Sequence, residues 1–158
     1  CMSPHSAWLI LQGIETLGLR MQRHMQNTEA VVAFLASHPM VERVGHPLLD
    51  SHPSHALAKK LLPRGAGSVF SFDIKGSREQ GKAFVETLKV FSHLANVGDC
   101  RSLVIQPAST THFRMDTAAL KQAGISPGTI RLSIGLEDAD DLIDDLKRAL
   151  RAAEKVGA

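Results

Sequence analysis

One short segment constrains the fold more than any other part of the chain. Residues 130–135, Ile-Arg-Leu-Ser-Ile-Gly, alternate apolar and polar residues. Successive side chains of a β-strand point to opposite faces of a sheet, so the three apolar residues are expected on one face and Arg131 and Ser133 on the other. The pattern therefore predicts a strand that holds an arginine on a rigid element.

Two interpretations of Arg131 follow from its position on a strand. A guanidinium presents five donors in a planar fork that fits a carboxylate, so an arginine fixed beneath a cleft is a suitable anchor for the carboxylate of an amino acid. Charged side chains are mostly exposed, however, and a solvated arginine on an edge strand fits the same spacing. The spacing alone favours this second interpretation and leaves the first one open.

A second segment, residues 101–112, has a similar composition. Its apolar run at 103–105 ends before Pro107 and is followed by serine and threonine residues. This order predicts a strand that runs into a polar loop, where binding groups tend to lie. If the strand neighbours the arginine strand, Ser102 or its adjacent backbone could share the bound anion.

Composition places the chain among ordinary globular domains. Its 158 residues fit one domain with one core, and 44% hydrophobic and 22% charged residues are typical globular values. A formal net charge of +2, with dispersed basic residues, argues against a nucleic-acid partner. No apolar stretch approaches the roughly 18 residues of a membrane span, and no signal-peptide pattern precedes the first helix. We therefore expect a cytoplasmic protein that binds neither nucleic acid nor membrane.

The cysteines and histidines do not form a recognisable site pattern. Cys1 and Cys100 lack a C-x-x-C partner, so both are expected to be free thiols. Three histidines, His46, His52 and His55, lie in one proline-rich segment. A metal site there would need three ligands converging from a loop without regular spacing, so the segment is interpreted as a structural loop and no metal site is predicted.

The N-terminal quarter of the chain has the pattern of one long amphipathic helix. Ser3 and Pro4 provide an N-cap and a first-turn proline, and apolar residues then recur at helical spacing to about residue 37, before His38-Pro39. Such a length is unusual in a small domain. We expect part of the apolar stripe, including Met21 and Met25, to be exposed and to promote self-association when the domain is alone.

The remaining chain alternates between short strands and helices. Gly76-Ser77 provides a turn and an N-cap for one helix, and three aspartates at 138, 140 and 141 begin the last one. In chain order the patterns predict a strand at 40–44, a helix at 56–62, a strand at 67–74, a helix after 77, strands at 91–97 and 103–105, a helix at 117–123, the arginine strand and a final helix. The chain is therefore expected to have an α/β fold.

Four segments carry a resemblance to a known family: Leu-Gln-Gly-Ile-Glu-Thr-Leu-Gly-Leu-Arg at 11–20, Phe-Ser-His-Leu-Ala-Asn-Val-Gly-Asp at 91–99, Ser-Leu-Val-Ile-Gln-Pro-Ala-Ser-Thr-Thr-His at 102–112, and Ile-Arg-Leu-Ser-Ile-Gly-Leu-Glu at 130–137. Together they resemble the C-terminal domain of the cystathionine γ-synthase-like, pyridoxal-phosphate (PLP)-dependent enzymes of cysteine and methionine metabolism. The segments at 58–65 and 91–96 are most similar to those of O-acetylhomoserine sulfhydrylases.

The resemblance implies the fold in more detail. It implies the small C-terminal domain of a fold-type I PLP-dependent transferase, of the α+β type, with a mostly antiparallel sheet and helices packed on one side. Residues 1–158 would form this single domain, with a long helix at about 4–37 and an α/β core at 40–156. The large PLP-binding domain would precede Cys1 and is absent from this chain.

The resemblance also implies a function. An O-acetylhomoserine sulfhydrylase replaces the γ-acetoxy group of its small amino-acid substrate by sulfide or a thiol, in homocysteine and methionine synthesis. Cystathionine γ-synthase, cystathionine γ-lyase and methionine γ-lyase are the alternatives within the family, and a non-catalytic ligand-binding or interaction module is the alternative of another class. The full-length enzyme is expected to be a cytoplasmic homo-oligomer, a homotetramer.

Residue by residue, the family motifs imply a substrate site but no catalytic centre. Arg131 would bind the substrate α-carboxylate, Ser102 would assist through its side chain or backbone, and Thr111 would line the site. Gln106 stands where the family usually has histidine, and Cys100 where a small residue is usual. The Schiff-base lysine of the family follows Ser-x-Thr, whereas no lysine here follows threonine and the chain has no tyrosine. The chain alone is thus expected to be inactive, with PLP bound by the missing large domain.

Overall fold

The computed structural model describes residues 1–156, leaving aside the side chain of Thr117. Six helices and five strands follow one another in these residues as α1 (Pro4–Glu15), α2 (Leu17–Ser37), β1 (Val41–Gly45), α3 (His55–Leu61), β2 (Val69–Ile74), α4 (Arg78–Thr87), β3 (Ser92–His93), β4 (Leu103–Ile105), α5 (Thr117–Gln122), β5 (Thr129–Ser133) and α6 (Ala139–Val156). A short 3-10 turn, Pro107–Ser109, follows β4. The predicted alternation of helices and strands is confirmed.

The five strands form one sheet in the order β1-β2-β5-β4-β3. Its pairs are antiparallel except for β3 and β4, which are parallel. The mostly antiparallel sheet expected from the family is therefore present. The interpretation of Arg131 as an edge-strand arginine is wrong, because β5 lies in the centre of the sheet between β2 and β4.

The hydrophobic core covers one face of this sheet. Ile130, Leu132 and Ile134 are fully buried and belong to one cluster with apolar residues of β2, α2, α4 and α6. The predicted stripe of α6 is also fully buried, as Leu142, Leu146, Ala149, Leu150 and Ala153. The alternation read from residues 130–135 is confirmed, so Arg131 lies on the face opposite the core.

Helix α6 buries one carboxylate together with its apolar stripe. Asp145 has 0% of its surface exposed. It accepts hydrogen bonds from the backbone N–H groups of Lys89 (3.0 Å), Val90 (2.8 Å) and Phe91 (3.4 Å), and it pairs with Arg148. Backbone groups in this irregular segment would otherwise lack partners, because it lies between α4 and β3. Asp145 thereby fixes the path of the chain into β3.

Helix α2 is attached to the end of β5 by buried polar side chains. His24 and Asn27 are each only 1% exposed. His24 Nδ1 lies 2.6 Å from the carbonyl oxygen of Ile134 and donates to it, since a carbonyl can only accept. Asn27 Nδ2 donates to the carbonyls of Gly135 (3.0 Å) and Glu137 (2.8 Å). Three backbone carbonyls that follow β5 thus accept hydrogen bonds from side chains of one helix.

The N-terminal helix is divided, in contrast to the single long helix that the sequence predicted. Thr16 has φ −104° and ψ 4° and separates α1 from α2, while the predicted end at Ser37 is confirmed. Arg20 donates to the Thr16 hydroxyl at 3.4 Å and to the carbonyl of Gly13. A glycine near the end of α1 weakens the helix by roughly 1 kcal/mol relative to alanine, which favours a break here.

Helix α1 has no buried residue and leaves a large apolar surface exposed. Its exposed apolar side chains, with those that follow in α2, are Trp8, Leu9, Ile10, Leu11, Ile14, Leu17 and Leu19. Met21 and Met25, which we expected to be exposed, are half-buried, because Met25 packs against the backbone at Gly65. None of the helices in residues 1–156 is both long and apolar enough to cross a membrane.

Removing residues 1–12 should abolish self-association without lowering thermal stability. The truncation deletes four of the exposed apolar side chains of α1 but no buried one, and it keeps the Gly13 carbonyl that Arg20 contacts. Light scattering should show concentration-dependent oligomers for the 158-residue chain and a monomer for the truncated one, with the same Tm by circular dichroism. A monomeric 158-residue chain at high concentration would contradict this expectation.

The histidine-rich segment forms a loop whose ring nitrogens contact nearby backbone. His46 is buried, lies 3.2 Å from the Gly67 carbonyl through Nε2, and accepts from the Leu48 N–H through Nδ1. Burial lowers the pKa of His46. His55 lies between the Pro47 carbonyl (2.7 Å) and the Asp50 carboxylate (3.0 Å). These contacts give the histidines a structural role.

Candidate functional site

Arg131 is placed by the central strand and has few partners of its own. On either side along β5 it is flanked by buried Ile130 and Leu132, and across the sheet its Cα neighbours are Ser71 and Ile105. The side chain is half-buried, and its Nη2 donates to the carbonyl oxygen of Asn96 at 3.3 Å. The backbone of Arg131 is therefore rigid, while most of its donors remain available.

The charge of Arg131 is not balanced within the described part of the chain. The six ion pairs found in residues 1–156 involve other basic side chains, and none includes Arg131. A guanidinium has five N–H donors and no acceptor, so a single carbonyl contact leaves room for a bidentate anion. The arrangement can bind a carboxylate.

A short loop, residues 94–101, forms the neighbouring wall of this site. Asn96 supplies the carbonyl that meets Arg131 and donates to the Asp99 carboxylate at 3.4 Å, and Asp99 accepts from the Arg101 N–H at 3.0 Å. Gly98 has φ +74°, which allows the turn. Sequence reasoning missed Asn96 because residues 91–97 were predicted as strand, although the Gly98-Asp99 turn was an available signal.

Ser102 lies immediately before β4 and is completely buried. Its Oγ accepts from the Gly135 N–H at 2.8 Å and donates to Glu137 Oε2 at 2.8 Å, while its own N–H donates to Glu137 Oε1 at 2.7 Å. Ile105, rather than Ser102, faces Arg131 across the strands. Ser102 is three residues before Ile105, which corresponds to about 10 Å along an extended chain. Strand β4 thus does neighbour the arginine strand, but both donors of Ser102, which precedes β4, are directed to Glu137.

Thr111 lies in the exposed loop after the 3-10 turn, and its hydroxyl is 2.8 Å from His112 Nδ1. The root of this loop is held by buried Gln106, whose Nε2 donates to the carbonyls of Arg78 (2.9 Å) and Pro127 (3.0 Å). Gln106 therefore has structural contacts where the family usually has histidine. The substrate-binding roles of Ser102 and Thr111 stay predictions, as does that of Arg131.

The residues around Arg131 do not form a PLP site by themselves. A Schiff-base lysine works in a desolvated pocket, where its amine loses its charge easily. All eight lysines of the chain are exposed, and none of those side chains is hydrogen-bonded to Arg131, Asn96, Ser102 or Glu137. Within residues 1–156, the surroundings of Arg131 therefore contain donors for an anion but no desolvated lysine amine.

The chain is similar in sequence to several curated enzymes. The chain is 48% identical to the O-acetyl-L-homoserine sulfhydrylase of Leptospira meyeri over 95% of its own length and 34% of that protein. It is 41% identical to an L-methionine gamma-lyase of Fusobacterium nucleatum, over 94% of this chain and 38% of that one. The chain spans about a third of the length of the curated relatives it matches.

The fold of the chain also matches solved structures of similarly named enzymes. A Campylobacter jejuni protein designated O-acetylhomoserine (thiol)-lyase, which contains a pyridoxyl-lysine monophosphate, matches with a TM-score of 0.86 and 46% identity over 95% of this chain and 36% of that one. Cystathionine gamma synthase of Xanthomonas oryzae, in complex with cystathionine, matches with a TM-score of 0.87 and 42% identity over 97% of this chain and 39% of that one. The family model described as Cys/Met metabolism PLP-dependent enzyme matches residues 1–151. With its fold, its arginine strand and this match, the chain belongs to the PLP-dependent enzymes of cysteine and methionine metabolism.

Proposed function

We propose that this chain supplies the substrate carboxylate site of a PLP-dependent O-acetylhomoserine sulfhydrylase. The observation that carries the proposal is Arg131, a half-buried arginine on the central strand with one carbonyl contact and no ion pair in residues 1–156. A carboxylate bound by its free donors would fix one end of an amino-acid substrate, so that the reacting carbon is held in one orientation. Arg131 binds and orients the substrate.

The choice of sulfhydrylase over its relatives rests on similarity. Relatives named sulfhydrylase or homocysteine synthase are 45–48% identical, whereas the L-methionine gamma-lyases are 41% identical. A carboxylate anchor serves replacement and elimination equally, because both act on amino acids with a free α-carboxylate. Cystathionine γ-synthase and the γ-lyases of cystathionine and methionine are therefore the second candidates.

The cofactor would be bound by a large domain outside this chain, which the share of the relatives' length covered here supports. PLP supplies the means of activating the substrate's carbon–hydrogen bonds. We also propose that the complete protein is a cytoplasmic homotetramer. Sedimentation of the complete protein tests the tetramer, since a monomer would contradict it.

The direct test offers one complete, PLP-loaded protein three reactions in parallel. O-acetylhomoserine with sulfide should give homocysteine and acetate, with the fastest turnover. Cysteine in place of sulfide tests for cystathionine formation, and methionine alone tests for its hydrolytic elimination to methanethiol, ammonia and 2-oxobutanoate. Turnover confined to methionine would assign the protein to the lyases, and no turnover with any amino acid would favour a non-catalytic binding module. An in-frame Ser-x-Thr-Lys segment upstream of Cys1 in the coding sequence would exclude that module.

The 158-residue chain alone should not retain PLP. Its lysines are exposed, so no desolvated amine is available to hold the cofactor. After incubation with PLP and gel filtration, we expect no stoichiometric absorbance from cofactor and no lysine modified upon borohydride reduction. Stoichiometric modification of one lysine would show that the chain contains a cofactor site of its own.

A further inference from the structure

Buried Ser102 and half-buried Glu137 form a compact contact, which we call the Ser102–Glu137 clasp. Each carboxylate oxygen of Glu137 accepts one donor of Ser102, from the backbone N–H at 2.7 Å and from the hydroxyl at 2.8 Å. The hydroxyl oxygen in turn accepts the Gly135 N–H at 2.8 Å, and the Ser102 carbonyl accepts the Ser92 N–H at 2.9 Å. All polar atoms of Ser102 are therefore used in joining three chain segments.

The segments joined by the clasp are in direct backbone contact. The Leu136 N–H donates to the Cys100 carbonyl at 2.9 Å. A Cβ atom on Gly135 would lie 2.5 Å from the Cys100 carbonyl oxygen and 2.5 Å from the carbonyl carbon of Arg101, so no other residue fits there without a shift of backbone. The end of the arginine strand and the end of the loop at 94–101 are thus held together closely.

The loop at 94–101 is held at both of its ends by hydrogen bonds of Ser102. Its first flank is tied by Ser92 to the Ser102 carbonyl, and its last flank is tied by Ser102 to Glu137. Within the loop, Asn96 reaches the guanidinium of Arg131. The position of Asn96 relative to Arg131 therefore depends on a contact at the base of the loop.

We propose that Glu137 is a positioning residue for the carboxylate site: through Ser102 it holds the loop at 94–101 beside Arg131 and so sets the width of that site. The proposal rests on the proposed function of Arg131. Without the Glu137 carboxylate, two donors of a fully buried serine lose their acceptors, and the serine hydroxyl turns away from its present direction. The loop then moves relative to Arg131, while Arg131 itself keeps its place on the central strand.

The test compares Glu137→Ala and Glu137→Gln with Glu154→Ala in the complete, PLP-loaded enzyme. Glu154 is an exposed residue of α6 and provides the matched control. Glu137→Ala should raise KM for O-acetylhomoserine roughly tenfold with little change in kcat. The rise in KM should be much smaller for an analogue in which the carboxylate is an amide. Glu137→Gln keeps an oxygen acceptor and the side-chain shape, so it should restore KM to within about threefold. Glu154→Ala should change neither constant.

Two further measurements keep the result decisive. Amide hydrogen exchange in the same enzymes should become faster at 94–101 in Glu137→Ala, with exchange in α6 unchanged. If Glu137→Ala does not fold, Ser102→Ala replaces it, because this variant removes the hydroxyl and keeps the N–H contact to Glu137. It should raise KM for the acid more than for the amide and also make amide exchange faster at 94–101, a change that the loss of a direct contact between Ser102 and the substrate would not cause.

The outcomes separate this proposal from the proposed function. If Arg131→Ala discriminates between acid and amide but the clasp variants affect both substrates equally, the carboxylate anchor stands and Glu137 has only a structural role. If Arg131→Ala does not discriminate, the anchor itself is wrong. Unchanged KM and unchanged exchange at 94–101 in folded Glu137→Ala would overturn the positioning role.

Discussion

Replacing Arg131 by lysine in the complete enzyme should lower kcat/KM for O-acetylhomoserine roughly ten- to hundredfold, and alanine should lower it further. Lysine keeps the positive charge but lacks the planar fork that binds both oxygens of a carboxylate. Within residues 1–156 the side chain of Arg131 makes one hydrogen bond, to the Asn96 carbonyl, and no ion pair, so the loss should come from substrate binding and alignment and the fold should be unaffected. Steady-state kinetics measure the loss in kcat/KM, and circular dichroism checks that the fold is unaffected.

Two controls make this expectation specific. An analogue with an amidated carboxylate should show a much smaller difference between wild type and Arg131→Ala, because the guanidinium gains little from a neutral group. Arg151→Lys, an exposed exchange on α6, should leave kcat/KM unchanged. If Arg131→Ala lowered kcat/KM equally for the acid and its amide in a folded enzyme, the arginine would be structural.

Replacing Asp145 by alanine should lower the free energy of unfolding by about 3–5 kcal/mol. The carboxylate is completely buried, and its removal leaves three backbone N–H groups before β3, and the nearby Arg148, without their acceptor. Asp145→Asn keeps the shape and one acceptor oxygen, so its loss should be smaller. The free energy of unfolding is measured by urea unfolding of a chain that lacks residues 1–12, so that it does not associate.

Asp144→Ala is the matched control for Asp145. The two aspartates are adjacent in α6, but the Asp144 side chain is exposed and pairs only with Lys147 at 2.9 Å. A hydrogen bond from Lys147 lowers the pKa of Asp144, yet an exposed pair of this kind is screened by solvent. The urea midpoint of Asp144→Ala should therefore stay close to that of the parent. Equal losses for both variants would mean that helix propensity, and not the buried carboxylate, governs the effect.

Sequence patterns correctly predicted the helices that depend on short-range features, such as an N-cap or an apolar stripe. Ser77 and Gln80 form the capping box at the start of α4, and the stripe of α6 is buried as its spacing indicated. The strand predicted at 91–97 is shortened to Ser92–His93, because Asn96 and Asp99 bond to each other and to nearby backbone instead of extending the sheet. Side chains of this kind compete with strand pairing, and a pattern of apolar residues does not reveal it.

Long-range contacts explain the rest of the difference between expectation and structure. The sequence placed Ser102 next to the arginine strand, but Glu137 is 35 residues away, and no spacing indicates that its carboxylate takes both donors of the serine. The central position of β5 likewise depends on its pairing with β2 and β4. The β2 partners lie about 60 residues away in the chain and the β4 partners about 30. Site residues were identifiable by motif, and their hydrogen-bond partners required the fold.

The buried hydrogen bonds of α2 have a consequence for the helix that precedes it. Apolar contacts tolerate rotation and sliding, whereas His24 and Asn27 each need a particular carbonyl at the end of β5. A helix turns by about 100° per residue, so a shift of one residue would remove these bonds together. They therefore set the rotation of α2 about its own axis, and α1, joined through Thr16, has its apolar side aimed in one direction relative to the arginine strand.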